Sequence, residues 1–131
     1  HGAPLPTFDS ILKQTLEPFT SRGIKVLLIG QIPIYETLPL RCIADHVEAG
    51  RDASECGLKR DTAMRQVERS NAALLRAAAA SPLISVTLPS QRMCATKFCS
   101  PFAGETFLYR NATHLNSLGA VALYASAPFP L

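Results

Sequence analysis

Phe8, Ile11, Leu12, Thr15, Leu16 and Phe19 follow the three-four-seven-eight spacing of one helix face, opened by Pro6 and Thr7 and closed by Gly23. Pro18 falls inside the pattern and is expected to bend the helix or end it early. Between Gly23 and Gly30 the run IKVLLIG is almost unbroken in β-branched and aliphatic residues. A strand apolar on both sides belongs in a sheet covered on both faces, the usual setting of a parallel strand. The prolines of QIPIYETLPL then force a loop at the strand's carboxyl end, where open α/β sheets place their ligands. Tyr35 in this loop is placed either to line a ligand crevice or to pack.

A second helix runs from about Leu58 to Ala80, with Ala63, Met64, Val67, Leu74, Leu75 and Ala78 on one stripe and Arg65, Glu68, Arg69 and Arg76 largely off it; Ser81-Pro82 stops it. LISVTLP is a second strand. The stretch SQRMCATKFCSPFAGETFLYRNAT is a loop longer than connectivity alone needs. A last helix runs from about Leu115 or Asn116 to Ala125, with Thr113 or Asn116 as its cap. This order of elements is α/β, in a single domain over residues 1–131. Two strands are few for a doubly wound sheet. Either further strands hide in the loops, or the sheet is begun by sequence that precedes His1.

Composition narrows the class. A chain of 131 residues can bury roughly two thirds of its unfolded surface, and a hydrophobic share of 47% with 18% charged residues is globular. No apolar run approaches the ~18 residues of a membrane span. The net charge is only +3, and the basic residues are scattered without interleaved aromatics, which leaves no nucleic-acid footprint. The first ten residues, HGAPLPTFDS, have neither the basic start nor the apolar core of a signal peptide, so the chain reads as a mature fragment or as the exported part of something longer.

Four cysteines, Cys42, Cys56, Cys94 and Cys99, permit three pairings. Pairing between neighbours is the economical choice, since each pair brackets a polar stretch. Closing the shorter loop would stabilise the chain by roughly 2 kcal/mol on the chain-entropy model. Disulfides are useful only in an oxidising compartment, which places the chain in the periplasm or outside the cell. Neither pair has the two-residue spacing of a zinc knuckle, so no metal is expected. His46 lies in CIADHVEAG, read as a polar, solvated loop between two cysteines.

The candidate chemistry sits in FLYRNATHLNSLGA. A lone histidine at a helix start ordinarily caps the helix or fills a core corner. Here a long loop, a turn, His114 and a helix of small residues follow one another, which is how an α/β hydrolytic fold delivers its base. The segment resembles the closing motif of SGNH-type hydrolases and acyltransferases, in which Asp-x-x-His precedes the last helix. It is most similar to the periplasmic SGNH domain fused to membrane O-acyltransferases of the O-antigen acetylase kind. Tyr109, Arg110, His114, Leu115, Gly119 and Ala120 match that version of the motif; Asn116 stands where the family usually has Ser, and Asn111 where it has Asp. MCATKFC and KVLLIGQIP add to the likeness, which extends from about Phe8 to Ala125.

The resemblance implies a three-layer, flavodoxin-like, mostly parallel sheet, of which this chain is the C-terminal part. It also implies acyl (acetyl) ester transfer or hydrolysis on a cell-surface polysaccharide by a serine-histidine mechanism without a cofactor. The partners implied are an acylated glycan or acyl donor, a membrane acyltransferase domain that attaches the chain to the inner membrane, and an upstream segment carrying the nucleophile. The Gly-Asp-Ser block and the oxyanion-hole Gly and Asn residues of such enzymes have no convincing match here. Asp9-Ser10 is a poor substitute, because Ser10 opens a helix with no strand before it. In the implied mechanism His114 takes the serine proton and returns it to the departing or accepting alcohol, its ring kept neutral by the positive end of the last helix. Asn111 can orient the ring but offers no charge, and an amide turned to donate would select the wrong tautomer. Three possibilities follow: loss of activity, a Ser-His dyad with backbone support, or a carboxylate from elsewhere, such as Glu105 or Asp45. The rival class is a non-catalytic carbohydrate-binding or scaffold module of the same fold; weaker still is a small disulfide protein whose histidine caps a helix.

Overall fold

Thr7 opens the first helix as the chain pattern predicts, its Oγ1 accepting the Ser10 N–H at 3.2 Å. The structure, a computed structural model, describes residues 2–125. Helix α1 spans Phe8–Thr20. It continues past Pro18, because a proline two residues before the end removes only one bond of the ladder. Gly23, at φ 74°, then turns the chain into strand β1, Val26–Ile29.

The remaining elements are α2 (Leu40–Glu48), a 3-10 turn (Ala53–Cys56), β2 (Leu58–Lys59), α3 (Arg60–Ala80), β3 (Ile84–Thr87) and α4 (Pro89–Met93), then β4 (Phe98–Cys99), β5 (Phe102–Ala103), β6 (Thr106–Phe107), β7 (Tyr109–Asn111), β8 (His114–Leu115) and α5 (Ser117–Tyr124). β1 and β3 pair in parallel, Val26 opposite Ile84 through Ile29 opposite Thr87. Helix α1 lies against β1 and α3, and α3 against β3. A forked pair from Arg76 to Asp9 (Nε–Oδ1 2.8 Å, Nη2–Oδ2 3.0 Å) ties the two helices. That bond holds the Asp9 carboxyl below its usual range, but with both side chains at least half exposed it contributes little.

The fold is therefore α/β. The three-layer parallel sheet is not present among the described residues, whose sheets are all two-stranded. Strands do hide in the long loop, but they form short antiparallel pairs, β2 with β4, β5 with β6 and β7 with β8, and none extends the β1–β3 pair. With a single partner, β1 is not sealed on both faces as its composition led one to expect: Ile29 is 50% exposed.

The core instead gathers beyond the sheet, where Tyr35, Ala63, Met93, Cys94, Cys99, Leu108, Tyr109 and Leu123 are buried together. The α3 stripe feeds it only in its first half. Ala63 belongs to it and Met64 packs against it, whereas farther along Leu75 is 50% exposed and Ala73 is buried outside that cluster. The disulfides are Cys42–Cys56 and Cys94–Cys99, the neighbour pairing. Gly119 lets α5 lie on the strand region beneath it, since a Cβ there would stand 2.6 Å from Leu108 Cα and closer still to the Leu108 carbonyl oxygen. Backbone cannot swing aside as a side chain can. Gly119→Ala should therefore lower the unfolding free energy by about 1–3 kcal/mol, read from the midpoint shift of a denaturant melt at unchanged slope.

Candidate functional site

Strands β7 and β8 form a tight hairpin, with Tyr109 opposite Leu115, Asn111 opposite His114, and a bulge between Tyr109 and Asn111. The turn Ala112-Thr113 is closed by the asparagine side chain. Asn111 Oδ1 accepts from the backbone N–H of Thr113 at 3.0 Å and of His114 at 2.9 Å. The same oxygen lies 3.0 Å from His114 Nδ1 and 3.3 Å from Thr113 Oγ1. Asx turns of this kind are what asparagine and aspartate side chains do in place of a backbone turn.

This geometry answers the tautomer question raised by an amide at this position. Two backbone N–H groups can donate only to an oxygen, so the carboxamide cannot flip to present its NH2 group. An amide oxygen facing Nδ1 requires that Nδ1 carry the proton. Nε2 is then left with the lone pair, the tautomer a general base needs. Thr113 Oγ1, 3.0 Å from Nδ1, fits the same arrangement by donating to Asn111 Oδ1 and accepting a share of the Nδ1 proton. The ring is exposed, and among the described residues no serine hydroxyl and no carboxylate is hydrogen-bonded to it.

The hairpin is held to the loop that follows β1. Tyr109 Oη donates to Pro33 O at 2.7 Å, and Tyr35 N–H donates to Ala112 O at 2.9 Å. Gln66 on α3 clasps the same loop, its amide oxygen accepting from Ile34 N–H at 3.1 Å and its NH2 donating to Ile34 O at 3.0 Å. Tyr35 is thus a packing residue, buried edge-on against Tyr109 with ring centres 5.1 Å apart. Burial pushes both tyrosine hydroxyls above the ordinary phenol value. These contacts hold the histidine turn against the loop that leaves the carboxyl end of β1, the side of a parallel sheet where ligands bind.

His114 does not sit at a helix mouth. Helix α5 begins three residues later, and Asn116 caps it, its Oδ1 accepting from Gly119 N–H at 2.6 Å. The Nδ1 proton is therefore positioned by Asn111 and not by the helix end. Asn116 also does more than a serine at that position can. Its NH2 donates to Phe107 O at 2.9 Å and Tyr109 O at 3.1 Å, while its own N–H donates to Leu108 O at 2.8 Å. One side chain thus fixes helix, strand and histidine relative to each other.

The other candidates fall elsewhere. Ser10 Oγ donates to Thr7 O within the first turn of α1. Glu105 lies in the turn between β5 and β6 and Asp45 on α2; both are exposed, and neither bonds the ring. His46 is on α2, not in a loop, with its ring against the Cys42–Cys56 bridge. Sequence reasoning missed α2 although Leu40, Ile43 and Val47 carry a helical spacing, because the polar residues between them outweighed three apolar ones. A groove of about 360 Å³ between α1 and α3, lined by residues including Leu12, Leu16, Ala77 and Ile84, does not include His114.

Residues 3–126 match the model of the family described as the SGNH domain (fused to AT3 domains). The chain belongs to that family, whose members are generally hydrolases or acyltransferases. No curated protein and no solved structure matches the chain.

Two outcomes follow from the docking contacts. Tyr109→Phe leaves the buried Pro33 carbonyl without its donor and should cost about 1–3 kcal/mol. Because the folded state favours the neutral phenol, this contribution is present below the usual value of 10.0 and is lost as pH rises above it. Stability of the parent chain should therefore fall more steeply above that pH than stability of the variant, as measured by denaturant melts across the range. Asn116→Ser, which keeps a cap but loses both carbonyl contacts, should cost about 1–3 kcal/mol in the same assay.

Proposed function

We propose that this domain transfers or hydrolyses acyl (acetyl) esters of a cell-surface polysaccharide, with His114 as general base and Asn111 as the residue that positions it. The observation that carries the proposal is the locked Asn111 Oδ1, which leaves His114 Nε2 free to accept a proton. The nucleophilic serine is contributed by a segment outside these residues, presented at the carboxyl end of β1 beside the His114 turn. Its hydroxyl gives its proton to Nε2 as the oxygen attacks the acyl carbon. The imidazolium then returns that proton to the departing alcohol, and the neutral ring in turn takes one from the incoming water or sugar hydroxyl and passes it to the serine oxygen as the acyl group moves on.

Asn111 supplies orientation and tautomer but no negative charge opposite the imidazolium. In the serine-protease template an Asp-to-Asn change costs about ten-thousand-fold because the wrong tautomer results. Here the Asx turn forces the right one, so only the charge-assisted part is lost. Family membership supports a membrane acyltransferase partner, since the family is described by its fusion to AT3 domains. Two disulfides agree with an exported setting, periplasmic or extracellular, with the inner membrane reached through that larger protein.

The test is hydrolysis of a chromogenic acetate ester by a domain that includes the serine-bearing segment. His114→Ala should lower turnover about 100- to 10,000-fold. Asn111→Asp should raise it about 10- to 100-fold, the difference between a neutral and a charge-assisted hydrogen bond. If neither substitution moves the rate, His114 is not the base. Binding of an acetylated glycan without turnover, unchanged by Asn111→Asp, would instead identify a carbohydrate-binding module of this fold.

A further inference from the structure

The two disulfides occupy unlike surroundings. Cys94 and Cys99 are both sealed from solvent, at 0% exposure, inside the core that carries Leu108 and Tyr109. Cys42 and Cys56 join α2 to the 3-10 turn, and here the two sulfurs differ. Cys56 is buried, whereas Cys42 lies on the more open face of α2. Cys42 and His46 are one helical turn apart on the same side of α2. His46 Nδ1 stands 2.9 Å from Cys56 Sγ and 3.8 Å from Cys42 Sγ. The imidazole therefore rests on the buried sulfur of the pair and leaves the open one to solvent.

Helix α2 depends on this bridge to an unusual degree. It has no buried residue, and its Leu40 and Val47 are 58% and 64% exposed. Its principal neighbour is the 3-10 turn that carries Cys56. Among the described residues, the side-chain hydrogen bonds of α2 are those of His46 with the two sulfurs. Little apolar burial opposes its release once the covalent tie is gone. Immediately before α2 runs the loop whose Pro33, Ile34 and Tyr35 hold the histidine hairpin.

We propose that Cys42–Cys56 is a thiol–disulfide exchange site, opened by a dithiol reductant while Cys94–Cys99 stays closed, with His46 as the positioning residue on the departing sulfur. A thiolate of the reductant attacks Cys42 Sγ in line with the bridge. The new sulfur–sulfur bond forms to Cys42, the Cys42–Cys56 bond breaks, and its electron pair leaves on Cys56 Sγ. His46 Nδ1, 2.9 Å from that atom, carries the ring's proton in this step and donates it to a hydrogen bond with the emerging thiolate. A stabilised leaving sulfur departs faster, and the choice of which sulfur is attacked follows from access. The reductant's second thiolate then attacks its own sulfur in the mixed disulfide and closes it to a cyclic disulfide. Cys42 is released as a thiolate, and the two protons of the dithiol end on the two cysteines. Two electrons pass from the dithiol to the bridge. Opening it releases α2 and with it the far anchor of the loop beneath the histidine hairpin. The proposal stands on the bridge's own surroundings and does not require the acyl chemistry.

The experiment is graded exposure of the folded chain to dithiothreitol, quenched by alkylation, with each cysteine's labelling followed by peptide mass spectrometry. Cys42 and Cys56 should be labelled at least about tenfold faster than Cys94 and Cys99. His46→Ala should slow the opening of Cys42–Cys56 about tenfold without changing the rate at Cys94–Cys99, and His46→Gln, which keeps a donor, should recover part of the loss. Amide hydrogen exchange across Leu40–Glu48 should rise after opening, with α3 unchanged. Equal labelling of the two pairs, an unchanged rate in His46→Ala, or unaltered exchange across α2 would each overturn the proposal.

Discussion

A single carboxamide oxygen organises the turn that carries His114. Asn111 Oδ1 gathers two backbone N–H groups, a hydroxyl and an imidazole N–H within 3.3 Å. The backbone donors are the decisive ones, because they are part of the turn and cannot be redirected without unmaking it. They fix which end of the amide faces the ring, and hence which ring nitrogen holds the proton. An aspartate would make the same turn and add a charge; an asparagine makes the turn and the tautomer alone. The turn is in effect a device for orienting a histidine whether or not its partner is ionised.

That device is precise only because it is anchored. The hairpin carries Tyr109, whose hydroxyl reaches the loop after β1, and is followed by Asn116, whose side chain joins the same strand to α5. The most heavily buried cluster lies here and not under the parallel strand pair. The Cys94–Cys99 bridge sits inside that cluster, where it shortens the loop leading to the hairpin. Rigid support of this kind fixes where the His114 ring can point, because the groups that carry it are themselves held by buried contacts.

The rest of the chain is more loosely built, and the physical reason is the two-stranded sheet. β1 and β3 each offer an unpaired edge among the described residues, so apolar side chains chosen for a covered strand, such as Ile29, meet solvent. The composition of these strands is that of strands covered on both faces, a cover the two-stranded pairing does not supply. The second disulfide holds α2, a helix with no buried residue of its own. One bridge therefore reinforces packing that already exists, while the other replaces packing that does not.

Local chemistry and periodicity were enough to place α1 at Thr7, α3 up to Ser81, the two parallel strands and the neighbour pairing of the cysteines, and to narrow the last cap to Thr113 or Asn116, because each rests on patterns along short stretches of chain. The motif around His114 was legible for the same reason, its spacing being that of one tight turn. What the sequence could not state was the direction of the Asn111 amide, since that depends on where two backbone N–H groups point. It also could not show that Tyr35 packs on Tyr109, that Gln66 clasps Ile34 across 32 positions, or that His46 rests on a sulfur ten residues away. Those contacts join segments that only the closed chain brings together, and they decide whether a histidine is merely present or is aimed.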